Sequence, residues 1–198
     1  MINTIRTLIA IGLVQALMAC SAALDREAYM QWVESRDNPL HITQTEGEYL
    51  FDLQYQPAEY VYLQRINARD VSAQWDTAAL KDIEGMQYYT LTIGLTDPRL
   101  DFLNHQVANP SQKGEKLYYF SYTFPQDIYL VDNNRKLPCE LFHFERSYDL
   151  KPSRTFVLGF ENPHKQSEEA TLVVQSPWIT DKPVSLRINK KDIPKVKL

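Results

Sequence analysis

The stretch DIYLVDNNRKLPCELFHFER, residues 127–146, reads as a strand, a polar turn and a second strand. Ile128, Tyr129, Leu130 and Val131 are the aromatic and aliphatic residues that suit a pleated, half-buried surface. Asp132-Asn133-Asn134 then carries turn chemistry, and residues 137–146 resume the strand. A connection through Pro152 leads into RTFVLGFE, residues 154–161. That cadence over residues 128–161 is strand, polar turn, strand, connection, strand.

Working outward, the same signal recurs. GMQYYTLTIGL (85–95) and EKLYYFSYTF (115–124) precede this unit; ATLVVQS (170–176) and PVSLRIN (183–189) follow it. Turn clusters at Asp97-Pro98, Asn109-Pro110, Asn162-Pro163 and Asp181-Lys182-Pro183 separate the runs. In EKLYYFSYTF a strand puts Tyr118, Phe120, Tyr122 and Phe124 on one face, which reads as core. The expected fold is mainly β (α+β), an antiparallel β-sandwich, immunoglobulin-like, with two or three short helices in the N-terminal third.

Those helices are read from a different period. Residues 24–36 place Leu24, Ala28 and Trp32 on one side with Tyr29 and Val33 beside them, and end before Asp37-Asn38-Pro39. GEYLFDLQYQ (47–56) alternates as a strand, with Tyr49, Phe51, Leu53 and Tyr55 facing one way. Pro57 opens a helix over residues 58–67. A further helix is expected over residues 71–83, capped by Asp70 or Ser72 and ended by Gly85.

The first twenty residues, MINTIRTLIAIGLVQALMAC, form a separate unit. One basic residue, Arg6, precedes an apolar run of eleven or twelve residues that ends near Met18. That run is too short for the roughly 20-residue helix that spans a bilayer, and it matches the length of a secretory signal. Leu17-Met18-Ala19-Cys20 resembles the lipobox of bacterial lipoproteins, with an aliphatic residue at −3 and a small one at −1. The resemblance implies removal of residues 1–19 and attachment of a diacylglyceryl group to the Cys20 thiol. Ser21 at +2 implies, by the same resemblance, the outer membrane. Two or more acyl chains anchor stably where one is marginal, since each buried CH₂ contributes about 0.8 kcal/mol. The expected division is 1–19 signal peptide, 20–40 anchor and short helix, and 41–198 a single β-rich domain.

Of the two cysteines, lipidation takes Cys20 and leaves Cys139 alone, so no intramolecular disulfide is expected. The formal net charge of −4 excludes an electrostatic footprint for nucleic acid. The basic tail of Lys190, Lys191, Lys195 and Lys197 is short and interrupted, and reads as a solvated end.

Chemistry-bearing residues are sparse. On a regular strand Cys139, His143 and Glu145 share a face, but Cys139 and His143 stand about 13 Å apart, beyond nucleophile–base contact. The histidines, at 41, 105, 143 and 164, lack metal-ligand spacing. The acid pairs Asp97/Asp101, Glu145/Asp149 and Glu168-Glu169 carry no cleft signature. No catalytic, cofactor-binding or metal residue is therefore named, and Cys20 is the one site. Tyr88-Tyr89, Tyr118, Tyr122 and Trp178 are read as core or as an interaction surface. The expected function is a membrane-anchored, non-enzymatic interaction or assembly factor, with membrane lipid and other envelope proteins as partners. A glycan- or small-ligand-binding lipoprotein is the alternative, and an anchored hydrolase the second.

Overall fold

A computed structural model describes residues 23–66, 75–145, 151–163 and 167–197. Cys20 and the lipobox lie outside the described residues, as do His164 and Asp149.

The first helix of the described residues is α1 (Arg26–Glu34), where Asp25 is the N-cap and its Oδ1 accepts from the Ala28 amide at 2.9 Å. Tyr29 and Val33 bury its inner face. A hairpin follows, β1 (His41–Glu46) and β2 (Tyr49–Gln56), turning at Gly47, whose φ of 58° favours glycine. HITQTE was not expected as a strand. It is a half-exposed edge without apolar alternation. β2 alternates as anticipated, with Tyr49, Phe51, Leu53 and Tyr55 buried. Two helices come next, α2 (Ala58–Arg65), with Pro57 as its N-cap, and α3 (Thr77–Glu84). The cap of α3 is Asp76 rather than Asp70 or Ser72; residues 67–74 lie outside the described residues. Then come β3 (Met86–Leu95), α4 (Pro110–Tyr118), β4 (Ile128–Asp132), β5 (Arg135–Glu145), β6 (Arg154–Glu161), β7 (Glu169–Val174) and β8 (Val184–Asn189).

Among the described residues eight strands belong to one antiparallel sheet in the order β1-β2-β3-β6-β5-β4-β7-β8, and β1 comes round against β8. The sheet is a nearly closed, barrel-like surface. The mainly β architecture agrees with the sequence; an immunoglobulin-like sandwich of two separate sheets is not confirmed. The reason lies in β5, whose eleven residues are shared. Its first part pairs with β4 and its second part with β6, with a bulge between Cys139 and Leu141. One strand thus carries the sheet around a corner.

The aromatic run at 115–124 corrects the expected strand. Residues 110–118 are α4, residues 119–123 continue as a π-helical turn and residues 124–127 as a 3₁₀ turn. The start signal was present: the Asn109 side chain accepts from the Gln112 amide at 3.0 Å, and Pro110 follows at the first turn. The Ser121 hydroxyl donates to the Leu117 carbonyl at 2.7 Å, a bond that competes with the helix ladder where the π turn begins. Phe120 and Phe124 are four apart and both buried, against Phe156 of β6 at ring separations of 6.0 and 5.0 Å. Tyr118 and Tyr122, also four apart, point outward.

Candidate functional site

Contacts across the barrel mark two distinct ends. At one, Tyr49 of β2, Leu95 of β3 and Arg154 of β6 lie together, and Tyr49 meets Trp178 beyond β7. At the other, Gln87 of β3 meets Asp132 of β4 and Lys190 beyond β8, and Lys190 stands over the Tyr55 ring of β2. Each end holds a buried lysine.

At the second end Lys190, just past β8, reaches into the barrel. Its side chain is 3% exposed and that of Asp132 is 0% exposed, with 3.5 Å between Nζ and Oδ2. Gln87 bridges them, accepting from Lys190 Nζ at 2.9 Å and donating to Asp132 Oδ2 at 2.8 Å. The Tyr89 hydroxyl donates to Gln87 Oε1 at 3.2 Å, and the amide and hydroxyl of Ser167 donate to Asp132 Oδ1. Burial pushes the Asp132 carboxyl up, but Ser167, Lys190 and Gln87 more than offset it and hold it below its ordinary value. Burial lowers Lys190, and Asp132 opposes that shift only in part. Every polar atom here has a protein partner, so the cluster fixes how β3, β4 and β8 meet. The basic tail expected to be solvated is thus anchored by its first lysine.

At the first end Lys116 of α4 is fully buried. Its Nζ donates to the carbonyls of Phe102 at 2.8 Å and His105 at 2.9 Å, and stands 4.9 Å from the Phe102 ring and 6.0 Å from the Trp178 ring. Burial lowers its pKa to about 8, with the charge of Asp101 opposing. Asp101 itself is held by Arg154 at 2.8 Å, and among the described residues no carboxylate makes an ion pair with Lys116. Beside this residue opens a cavity of about 410 Å³ lined by Gln106, Gln112, Lys116, Trp178, Thr180 and Asp181 among others. Its wall is pinned from behind, since the Trp178 carbonyl accepts from the Tyr49 hydroxyl at 3.1 Å. Gln106 has a φ of 54°, a left-handed conformation that a non-glycine residue holds at a cost in strain.

Outside α4, Leu117, Tyr118 and Tyr122 form an exposed group; the two tyrosines are 64% and 60% exposed with ring centroids 5.1 Å apart. They do not line the cavity, because Lys116 and Phe120 occupy the inward face of the same helix. Trp178 is half-buried, while Tyr88 and Tyr89 are core.

The other sequence candidates are dispersed. The β5 bulge turns Cys139, Phe142 and Phe144 toward the core and leaves His143 and Glu145 outside, so thiol and imidazole take opposite faces. Cys139 donates to the Leu141 carbonyl, and burial pushes its thiol up to about 11, so it stays protonated at neutral pH. His41 Nε2 lies 3.1 Å from the Val33 carbonyl and His105 Nε2 3.2 Å from Glu48. Asp97 is paired with Arg99, Glu168 with Lys191 and Glu169 with Arg187. Among the described residues no group of three or more His, Cys, Asp or Glu is placed to hold a metal, and no helix is long and apolar enough to cross a membrane. Sequence reading missed Lys116 because it treated residues 115–124 as a strand. The helix-start signal at Asn109-Pro110 would have turned Lys116 inward with Phe120.

No family model matches the sequence, and no curated protein matches it. Among solved structures, the crystal structure of a DUF4426 family protein from Pseudomonas aeruginosa aligns over 76% of this chain and 94% of that one, at 10% identity and a TM-score of 0.36.

Proposed function

We propose that this chain is a lipid-anchored protein of the bacterial envelope that acts as a non-enzymatic interaction or assembly factor, presenting the α4 end of its barrel to a partner protein. One observation carries the reading: the chain enters the fold at one end, and its exposed aromatic group belongs to the element packed toward the other. Leu24 bridges to Val196, donating to the Lys195 carbonyl at 2.8 Å, beside the Tyr55 and Met86 end of the sheet. The Lys116 cavity and α4 are associated with the Tyr49 end. An eight-residue strand such as β2 separates the two ends by about 25 Å. A lipid on Cys20 would therefore hold the body by one end and leave the other facing away from the bilayer. Rigid tyrosines such as Tyr118 and Tyr122 supply contact area at small entropic cost, which suits an interface.

Two experiments test this. With Cys20→Ala, palmitate labelling and membrane fractionation are expected to be lost; unchanged labelling refutes the anchor. A photo-crosslinking residue at 118 or 122 in the native envelope is expected to capture a protein, and capture only by control sites on the Leu24 end refutes the docking face. A second reading, small-ligand binding, is favoured by the polar cavity beside Lys116 and Trp178. The hydrolase alternative gains nothing from Cys139, which remains a thiol turned into the core.

A further inference from the structure

A second groove, of about 840 Å³, opens where the described chain begins. Its apolar lining joins Ala58 of α2, Leu80 of α3, Met86 of β3 and the tail residues Ile193, Pro194 and Val196. All six are half-buried, so a strip of apolar surface is left in contact with water. Backbone bonds hold both walls. Asn162 donates from its amide to the Gly85 carbonyl at 3.0 Å and from Nδ2 to the Glu84 carbonyl at 2.6 Å, which ties the end of α3 to the end of β6. The tail is tied to Leu24, whose amide donates to the Lys195 carbonyl at 2.8 Å and whose carbonyl accepts from the Lys197 amide at 2.7 Å. Lys81 and Lys195, exposed members of the same lining, can lay their methylene stems along an alkyl chain while their ammonium groups stay in water.

The occupant follows from where the chain enters. Leu24 bridges Val196 in parallel sense, so Ala23 precedes it on the side of Lys195 and Pro194. Cys20 lies four residues before Leu24, a span of at most about 14 Å. If Cys20 carries the lipid proposed above, on which this inference rests, its acyl chains begin within reach of the groove. A tether that short holds an alkyl chain at an effective concentration on the order of mM, so even a weak seat fills. Outside a bilayer, each CH₂ that leaves water favours the seat about fourfold. Inside a bilayer that drive vanishes, because lipid tails are as apolar as the groove. The volume lies in the range of small-ligand sites.

We propose that this groove seats one acyl chain of the Cys20 lipid while the body stands outside a bilayer, and gives it up when the lipid inserts. The full chain carrying Cys139→Ser would be made by cell-free synthesis without membranes, which leaves Cys20 as its single thiol. That thiol would be alkylated with a maleimide bearing a palmitoyl-length chain tipped by a diazirine. After irradiation in buffer, cross-links are expected in residues 57–59, 80–86 and 193–196, about tenfold more often than in residues 110–126 at the α4 end. Vesicles of phosphatidylethanolamine and phosphatidylglycerol, added before irradiation, are expected to move the cross-links from the groove to lipid. Leu80→Asp is expected to reduce groove cross-links about fivefold, with circular dichroism unchanged. If that variant unfolds, the cross-link map and the vesicle arm of the parent chain decide alone. Cross-links that fall mainly on residues 7–18, on a second copy or on the α4 end would overturn the proposal. So would a groove pattern unmoved by vesicles or by a folded Leu80→Asp. Cells fed a diazirine-bearing palmitate separate the two readings. Absence of label on the Cys20 peptide refutes the anchor and removes the natural occupant, whereas a wrong map from the chemically attached chain refutes the groove alone.

Discussion

Replacing Asp132 with alanine tests the buried ion pair that closes the barrel. The substitution removes the acceptor of Gln87 Nε2 at 2.8 Å and of the Ser167 amide at 3.2 Å, together with the counter-charge of Lys190 at 3.5 Å. Lys190 would then keep Gln87 Oε1 at 2.9 Å and the Tyr55 ring at 5.5 Å, with its side chain 3% exposed. Leaving one charge of a buried pair uncompensated costs about 3–5 kcal/mol. For a chain of this length that lowers Tm by roughly 6–20 °C. The chain would be unfolded with urea in mild detergent and followed by tryptophan fluorescence, with the double variant Asp132→Leu, Lys190→Met measured beside it. The double variant is expected to lose less than the single one, because replacing both charges by apolar groups is often close to neutral. The same carboxyl sets an acid limb. Its folded-state pKa is held below the ordinary value of 3.8, so its stabilisation is present above that value and lost as pH falls through the folded pKa. A loss under about 1 kcal/mol for Asp132→Ala, the level of an exposed pair, would refute the assignment of this cluster as the fastener of β3, β4 and β8.

Three further outcomes are expected. Lys116 binds its proton less tightly in the folded chain, at about 8 against an ordinary 10.5, so the unfolded state holds more protons between those values and stability rises with pH there. Subtracting the stability of Lys116→Met from that of the parent should expose the rise, at most about 3 kcal/mol, while the titrations of tyrosines and Cys139 cancel; a flat difference from pH 7 to 10 contradicts it. A Cβ at Gly159 would meet Leu141 Cβ at 2.8 Å, whereas one at Gly114 on α4 meets nothing within 4 Å. Gly159→Ala should therefore cost about 1–3 kcal/mol and Gly114→Ala gain up to about 1 kcal/mol in urea titrations. Equal effects would argue against the packing at the β5–β6 crossing. Finally, Cys139, with its thiol pushed up to about 11 by burial, should react with a thiol reagent only as fast as the chain opens; immediate labelling of the folded chain would contradict its inward placement.

Much of the architecture was legible because its cause is local. The alternation of Tyr49, Phe51, Leu53 and Tyr55 is the pleat itself, and the order of strands from 86 onward followed from aromatic and β-branched runs cut by turn residues. The helix after Asp25 was announced by the spacing of Leu24, Ala28 and Trp32, and the one after Pro57 by the proline itself. Residues 115–124 misled for a physical reason. Alternating aromatics satisfy a two-residue period, yet Phe120 with Phe124 and Tyr118 with Tyr122 satisfy a four-residue spacing equally well. The capping bond at Asn109 and the packing on Phe156 decided between them.

What the sequence by itself determined is seven of the eight strands of the body, all but β1, and the lipobox-like segment that ends at Cys20; each is a matter of neighbours a few residues apart. Only the tertiary structure decided that β5 turns a corner and makes one barrel-like sheet, since a one-residue bulge reverses every face beyond it. It alone brought Lys190 to Asp132 across 58 residues, and set Lys116 beside Trp178 at the opposite end. Burial and charge compensation are properties of three-dimensional neighbours, and a linear chain does not carry them.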